Sequence, residues 1–293
     1  MAGQQPTHGF IGAGAAGTAL ATAISKAGHL VTAIHSADPA DASRLAASVN
    51  AQSCGTAQDV VTLSDTVWLT VPDDVIQPAC EALPWQPEHR VIHCSGAGSL
   101  DLLAAASKQG AATAVFHPLQ SFAVPDRAST NLPGSYVGIE ASNDALAAEL
   151  SALARAIGCQ PGALPADRSA YHVSAVLGSN ALVALLDLAA ELWPGEGGKE
   201  EGLAALLPLV RGTIANLEAI GLPDALTGPI ARGDVGTIER HIALLREAPA
   251  ALRRSYAELG LATLPVAHAK GSLSEEAAAR IATLLEELKV MER

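Results

Sequence analysis

Three glycines, Gly12, Gly14 and Gly17, stand in the stretch GFIGAGAAGTAL, directly behind a short β-branched run and at the head of an Ala- and Leu-rich one. When a strand precedes and a helix follows, this spacing does one chemical job. The first glycine turns the chain, the second lets the backbone approach a pyrophosphate, and the third lets the helix pack on the strand. A lone G-x-G-x-x-G is weak in a chain so rich in Ala and Gly, and it is the flanking elements that give it weight. Gly12, Ala13, Gly14, Ala15, Ala16 and Gly17 are therefore the expected dinucleotide cradle. About twenty residues on, where an NAD-binding unit carries an acid for the ribose hydroxyls, the chain has Ile34, His35 and Ser36, and the first acid is Asp38. A carboxylate there would repel a 2′-phosphate, whereas His35 or Ser36 could accept one. NADP is thus expected ahead of NAD, although no arginine stands beside them and Arg44 reaches the spot only if the loop folds back.

Further polar residues fall at later strand ends. In LTVPDDVI a strand runs into a helix through Val71, Pro72 and Asp73, which should line the cofactor; Asp73 and Asp74 read as helix caps rather than catalytic acids. VIHCSGAGSL and AVFHPLQSF bring Ser95, Gly96 and His117 to the same edge. Ser95 with the Gly96 backbone could hold a substrate carboxylate, and His117 either bonds substrate or caps a turn. Cys94 has no visible base and reads poorly as a nucleophile. In YHVSAVLGSNALVAL, His172 and Ser179 lie seven apart and share a helix face, with Asn180 beside them. They either bond neighbouring helices or project into a cleft between domains with His172 as proton donor. Thr227, Arg232 and His241 could face that cleft, Thr227 and Arg232 as substrate contacts. Glu239 and Arg240 read as a solvated face.

These residues need elements to position them. Strand signals at His8 to Ile11, Leu30 to Ile34, Thr66 to Val71, Arg90 to His93, Thr113 to Phe116 and Tyr136 to Ile139 alternate with helical segments, a rhythm that predicts an α/β, parallel, doubly wound (Rossmann) sheet. From Asp167 onward only helices are expected, beginning with one from Arg168 to Leu192. The expected division is a dinucleotide-binding domain over 1–165 and an all-α domain over 166–293. The run Val173 to Trp193 approaches a membrane span in length but holds Asn180, Asp187 and Glu191, and reads as a buried helix. Met1 to Thr7 has no basic region of the kind a signal peptide carries. A net charge of −12 argues against nucleic acid and anionic membrane as partners. Scattered arginines, Arg127, Arg168, Arg211, Arg232 and Arg240, could still meet one small anion. Cys54, Cys80, Cys94 and Cys159 lie far apart, without metal-ligand spacing, and suit a reduced cytoplasmic protein with no metal.

Taken in order, GFIGAGAAGTAL, VWLTVPDDVI, VIHCSGAGSLDLL, FHPLQSF, YHVSAVLGSNALVAL and LTGPIARGD resemble the bacterial Rossmann-like proteins with a C-terminal helical domain of unknown function. These are similar in architecture to ketopantoate reductase, pyrroline-5-carboxylate reductase and the 6-phosphogluconate dehydrogenase superfamily. The resemblance implies an NADP-dependent oxidoreductase acting on a small anionic substrate, with a homodimer built through the helical domain. It also implies a substrate-orienting role for Asn180 and, as the leading specific expectation, reduction of a ketopantoate-like oxo acid. One departure matters: the superfamily's catalytic lysine is missing, since Lys26, Lys108, Lys199, Lys270 and Lys289 all lie elsewhere. A cyclic imine, which arrives already protonated as an iminium, would need no strong acid. A non-catalytic dinucleotide-binding regulator is the reading from a different class.

Overall fold

The computed structural model describes residues 5–124 and 129–291, in two compact units, Met1–Ser179 and Asn180–Arg293. In the first, β1 (His8–Ile11), α1 (Ala15–Lys26), β2 (Val31–His35), α2 (Pro39–Val49), β3 (Gln52–Ser53) and α3 (Ala57–Leu63) lead into β4 (Thr66–Leu69) and α4 (Asp73–Glu81). Then come β5 (Arg90–His93), α5 (Ala104–Lys108), β6 (Ala112–Pro118), β7 (Tyr136–Ala141), α6 (Asp144–Ala156), β8 (Gln160–Ala163) and α7 (Arg168–Gly178). The strands form one sheet in the order β3-β2-β1-β4-β5-β6-β7-β8.

Successive strand residues point to opposite faces. Phe10, Ile34, Trp68 and Phe116 pack under α1, α2 and α6, while Ile11, Ala33, Val67 and Leu69 pack under α3, α4 and α5. This is the doubly wound arrangement the alternation predicts. One pairing departs from it: β7 runs antiparallel to β6, with Phe116 opposite Ile139. Among the described residues between them there is only a 3-10 turn, Ser129–Asn131, and no crossover helix of the kind a parallel pairing uses.

Three of the sheet's aromatics form one cluster. Trp68 lies flat on Phe10 at 5.7 Å and edge-on to Phe116 at 5.2 Å, and its indole N–H donates to His8 Nδ1 at 3.2 Å. His8 must therefore be neutral to accept. Burial foremost, then the neighbouring His29, lowers its pKa from 6.5 to about 4. A folded-state pKa below the unfolded one means the unfolded chain binds more protons at intermediate pH. His8 thus stabilises the fold fully above pH 6.5, and that contribution, about 3 kcal/mol, is lost as pH falls toward 4. Urea unfolding followed across that window should show the decline, and His8→Phe should flatten it.

The second unit comprises α8 (Asn180–Glu191), α9 (Gly198–Ile220), α10 (Val235–Leu245), α11 (Ala250–Ala269) and α12 (Glu275–Val290). Ile238, Ile242, Leu252, Ala257, Ile281 and Leu285 form its core. Arg253, only 6% exposed, closes the end of α10 by donating to the carbonyls of Arg246 and Ala248.

Three expectations change. The helix expected over Arg168 to Leu192 is broken at Ser179, whose φ of −125° and ψ of −74° leave the helical region. The sheet-bearing unit runs to Ser179, past residue 165, because Asp167 caps α7 through the Ala170 amide and Arg168 ties it to Glu140 of β7. Finally, the apolar run is not buried. Arg168–Glu191 and Gly198–Ile220 are long and apolar enough to cross a membrane by composition, yet at most 6% of the most apolar 18-residue window in either is buried.

Candidate functional site

The strand order reverses between β2-β1 and β4-β5, so the carboxyl ends of β1 and β4 open a crevice for a ligand. The glycine loop fills that position. Gly12 has φ of +110°, and a side chain on it would drive into the Thr70 carbonyl and lie 3.0 Å from the Val71 amide. A Cβ on Gly17 would lie 2.7 Å from Thr70 Oγ1 and closer still to the Gly12 carbonyl. Thr70 is the clasp: its amide donates to the Ile11 carbonyl at 2.9 Å and its hydroxyl to the Gly12 carbonyl at 2.7 Å. Gly14 is different, because a Cβ there would meet nothing within 4 Å. It heads α1 without a side-chain cap, and no acid stands in the first turn. The helix start therefore presents amide donors and positive dipole to open space, flanked by Ala13, Ala15 and Ala16, which suits a pyrophosphate. The residues fit a dinucleotide.

At the expected ribose end, His35 Nδ1 donates to the Cys54 carbonyl at 3.2 Å. Its other nitrogen could donate to a phosphate only with the ring charged. Ser36 is half-exposed. Asp38 caps α2 through the Ala40 amide at 2.8 Å, and Arg44 is paired with Asp41 at 2.7 Å.

Beyond β4, Asp73 corrects the sequence reading. Neither it nor Asp74 caps α4, whose N-cap is Pro72 with no side-chain bond; instead Asp73 accepts from the Ser95 hydroxyl at 2.7 Å. That hydroxyl also accepts from the Gly98 amide at 2.9 Å, while the Ser95 amide donates to His93 Nδ1 and His93 Nε2 donates to the Ser99 carbonyl. Burial lowers the His93 pKa, matching this neutral ring. Ser95 is thus committed to shaping its own loop, with a carboxylate against it where a substrate carboxylate was expected. Burial and Asp73 push the Cys94 thiol up to about 12, so it stays protonated.

The loop in turn meets His117. A Cβ on Gly96 would lie 2.7 Å from His117 Cε1 and Nε2, so the imidazole rests on the Gly96 backbone. On its other side His117 Nδ1 bonds the Tyr171 hydroxyl at 2.8 Å, the rings edge-on at 5.5 Å. Burial first, then the nearby His172, lowers the His117 pKa to about 4. Burial pushes Tyr171 up to about 12, opposed by the Arg168 charge. At neutral pH the pair is a neutral imidazole and a protonated phenol.

The structure thus gathers Asp73, Ser95, Gly96, His117 and Tyr171. Of the expected catalytic residues, His172 is exposed, Ser179 ends α7 outside helical geometry, and Asn180 opens the second unit. They do not share one helical stripe. Thr227 lies in the second unit, lining an apolar cavity of about 390 Å³ beside the hydrogen-bonded pair His241 and Tyr256. Arg232 is exposed in the turn before α10, near Asp234, which caps that helix. Arg127 lies outside the described residues. Sequence reasoning missed Tyr171, although it sits beside His172 and three residues after Arg168.

Residues 7–96 match the family model described as NADP oxidoreductase, coenzyme F420-dependent, and residues 135–263 match DUF2520, a domain of unknown function. No curated protein matches. Among solved structures, a Bacteroides fragilis protein assigned as an NADP oxidoreductase is 24% identical, covering 89% of this chain and 98% of its own, with a TM-score of 0.71. Pyrroline-5-carboxylate reductase from Streptococcus pyogenes is 16% identical, covering 98% and 99%, at a TM-score of 0.61. A reductive aminase from Aspergillus terreus, solved with NADPH and ethyl-5-oxohexanoate, is 18% identical, covering 97% and 93%, at 0.58. At these identities the likeness is one of fold.

Proposed function

We propose that this chain, which carries an NADP oxidoreductase domain over residues 7–96 and a DUF2520 domain behind it, reduces a carbon–nitrogen double bond with NADPH, Tyr171 supplying the proton. The observation that carries the reading is the His117–Tyr171 bond at the carboxyl edge of the sheet that bears the glycine loop. Gly12 to Gly17 would hold the pyrophosphate of NADPH, which when bound would supply the hydride. The donor is needed because the imine is taken to bind in its neutral form, which, unlike an iminium, brings no proton of its own; hydride addition to it leaves nitrogen far more basic than a phenolate. A tyrosine that keeps its proton up to about 12 therefore releases it only as that charge develops. With His117 in the Nδ1–H tautomer, the imidazole donates to the phenolate as it forms, and Arg168 adds a favourable charge. No lysine of this unit is placed to donate that proton, since Lys26 and Lys108 end α1 and α5, at the opposite edge of the sheet. The similar folds of pyrroline-5-carboxylate reductase and the reductive aminase support the imine reading over the ketopantoate-like one.

The test is a panel followed by NADPH absorbance: 1-pyrroline, pyrroline-5-carboxylate and ketopantoate. Turnover of an imine supports the reading. Turnover of ketopantoate alone replaces it with oxo-acid reduction, and tight NADPH binding without any turnover replaces it with a regulator.

We also propose a homodimer, a reading supported by the uncovered faces of α8 and α9, where Val183, Leu209, Ile214 and Ile220 are exposed. Lipid is a poor cover, because Asp187, Glu191 and Lys199 form an ion-pair cluster on the same helices. Sedimentation should give a dimer without detergent, and Leu209→Glu should shift it to monomer; association only with detergent or lipid vesicles would overturn this. The four cysteines are free, which is compatible with the proposed reduced, cytoplasmic setting.

A further inference from the structure

We propose that Arg168 is a specificity-determining residue of this site, whose guanidinium takes a carboxylate of the substrate, so that the imine reduced is an imino acid rather than a neutral imine. This rests on the reductase reading above. Arg168 lies three residues before Tyr171 on α7, so both project from one helix face. Its Nη2 is paired with Glu140 Oε2, whereas Nη1 is buried with no hydrogen-bond partner among the described residues. A guanidinium carries five donors in a fixed fork, and a buried one that spends a single nitrogen on a carboxylate has capacity for a second acceptor.

The register places that capacity at the site. In the β6–β7 ladder, His117 opposes Gly138 and Val115 opposes Glu140, so His117 and Glu140 are diagonal neighbours on one face. The Arg168 charge is accordingly felt at His117, Tyr171 and His93. The negative groups nearby are Glu140 and Asp73, and Asp73 is engaged by Ser95. With the side chain 15% exposed against 40% for Glu140, the cation is the more enclosed partner and Glu140 the one that water can solvate. A substrate carboxylate can thus share or replace Glu140 without leaving a bare charge buried.

Titration calorimetry on the full chain saturated with NADP⁺ tests this, with pyrrole-2-carboxylate against pyrrole-2-carboxamide, which keeps the planar ring and removes the charge. The carboxylate should bind about 10- to 100-fold more tightly. Arg168→Gln should erase the preference, Arg168→Lys should keep part of it, and Glu140→Gln, which frees Nη2, should strengthen carboxylate binding. Equal binding of the two probes, or no binding of either, overturns the proposal. So does a Glu140→Gln variant that loses carboxylate affinity as Arg168→Gln does, because that is the signature of a pair that only pins α7 to β7. Should Arg168→Gln fail to fold, the probe comparison and Glu140→Gln still decide. Failure of the reductase reading would look different: a carboxylate preference with no imine ever oxidising NADPH.

Discussion

Tyr171→Phe should lower turnover by about 10²- to 10⁴-fold while leaving the Kd for NADPH unchanged, because it removes one proton donor and nothing that touches the glycine loop. Phenylalanine keeps the ring against His117 and loses only the 2.8 Å bond to its Nδ1. The buried imidazole then has one unmet nitrogen, so a modest loss of stability should accompany the loss of rate. The pH profile separates this assignment from the exposed His172. With His117 charging only near 4 and Tyr171 ionising near 12, the pair holds one protonation state across neutral pH, and its rate contribution should be flat there. A rate that fell as pH rose through neutrality would instead argue against this pair as the proton donor. His172→Ala should leave most of the turnover intact.

Two glycines of one loop should both lose NADPH affinity, but only one of them stability. Gly14→Val adds a side chain where nothing lies within 4 Å, on a backbone with φ of −71° that valine adopts freely. The variant should fold and unfold like the parent protein. Its branched side chain nevertheless occupies the space over the start of α1, and NADPH affinity should drop by at least about 100-fold, roughly the loss of two charge-assisted bonds. Gly12→Ala meets the Thr70 backbone at φ of +110°, where neither side can yield. It should lower the unfolding midpoint and NADPH affinity together. Calorimetry of both variants, with fluorescence titration of NADPH, reads the split. A Gly14→Val protein that binds NADPH normally would remove the pyrophosphate from this loop.

The sheet was legible where the chain alternates strongly. α1 lies at Ala15–Lys26, as its Ala/Leu pattern predicts. The glycine loop was readable because its chemistry and its elements coincide in sequence. Three elements were not seen. β3 is two exposed residues with no alternation to show, and β8 contains Pro161 and Gly162, which only an edge strand tolerates. α3 is seven residues long, but its capping box, Thr56 with Asp59, was a usable signal. The site was less legible than the fold. Ser95, His117 and Asp73 were found because strand ends are predictable, but the Ser95–Asp73 bond joins a loop to the first residue of α4, 22 residues apart, which sequence cannot pair. Residue type alone points to His172 and is silent on Tyr171. One helical step of rotation decides which of two adjacent side chains meets the sheet, and that rotation is set by tertiary contacts, here Arg168 on Glu140 and Tyr171 on His117.

The most direct test of the central claim is single-turnover oxidation of NADPH by the wild-type chain and by Tyr171→Phe, with pyrroline-5-carboxylate at saturation. Rapid loss of nicotinamide absorbance in the wild type, slowed at least about 100-fold in the variant at unchanged NADPH affinity, is the predicted result. Equal rates in the two proteins, or no oxidation by a wild type that binds NADPH, would contradict it.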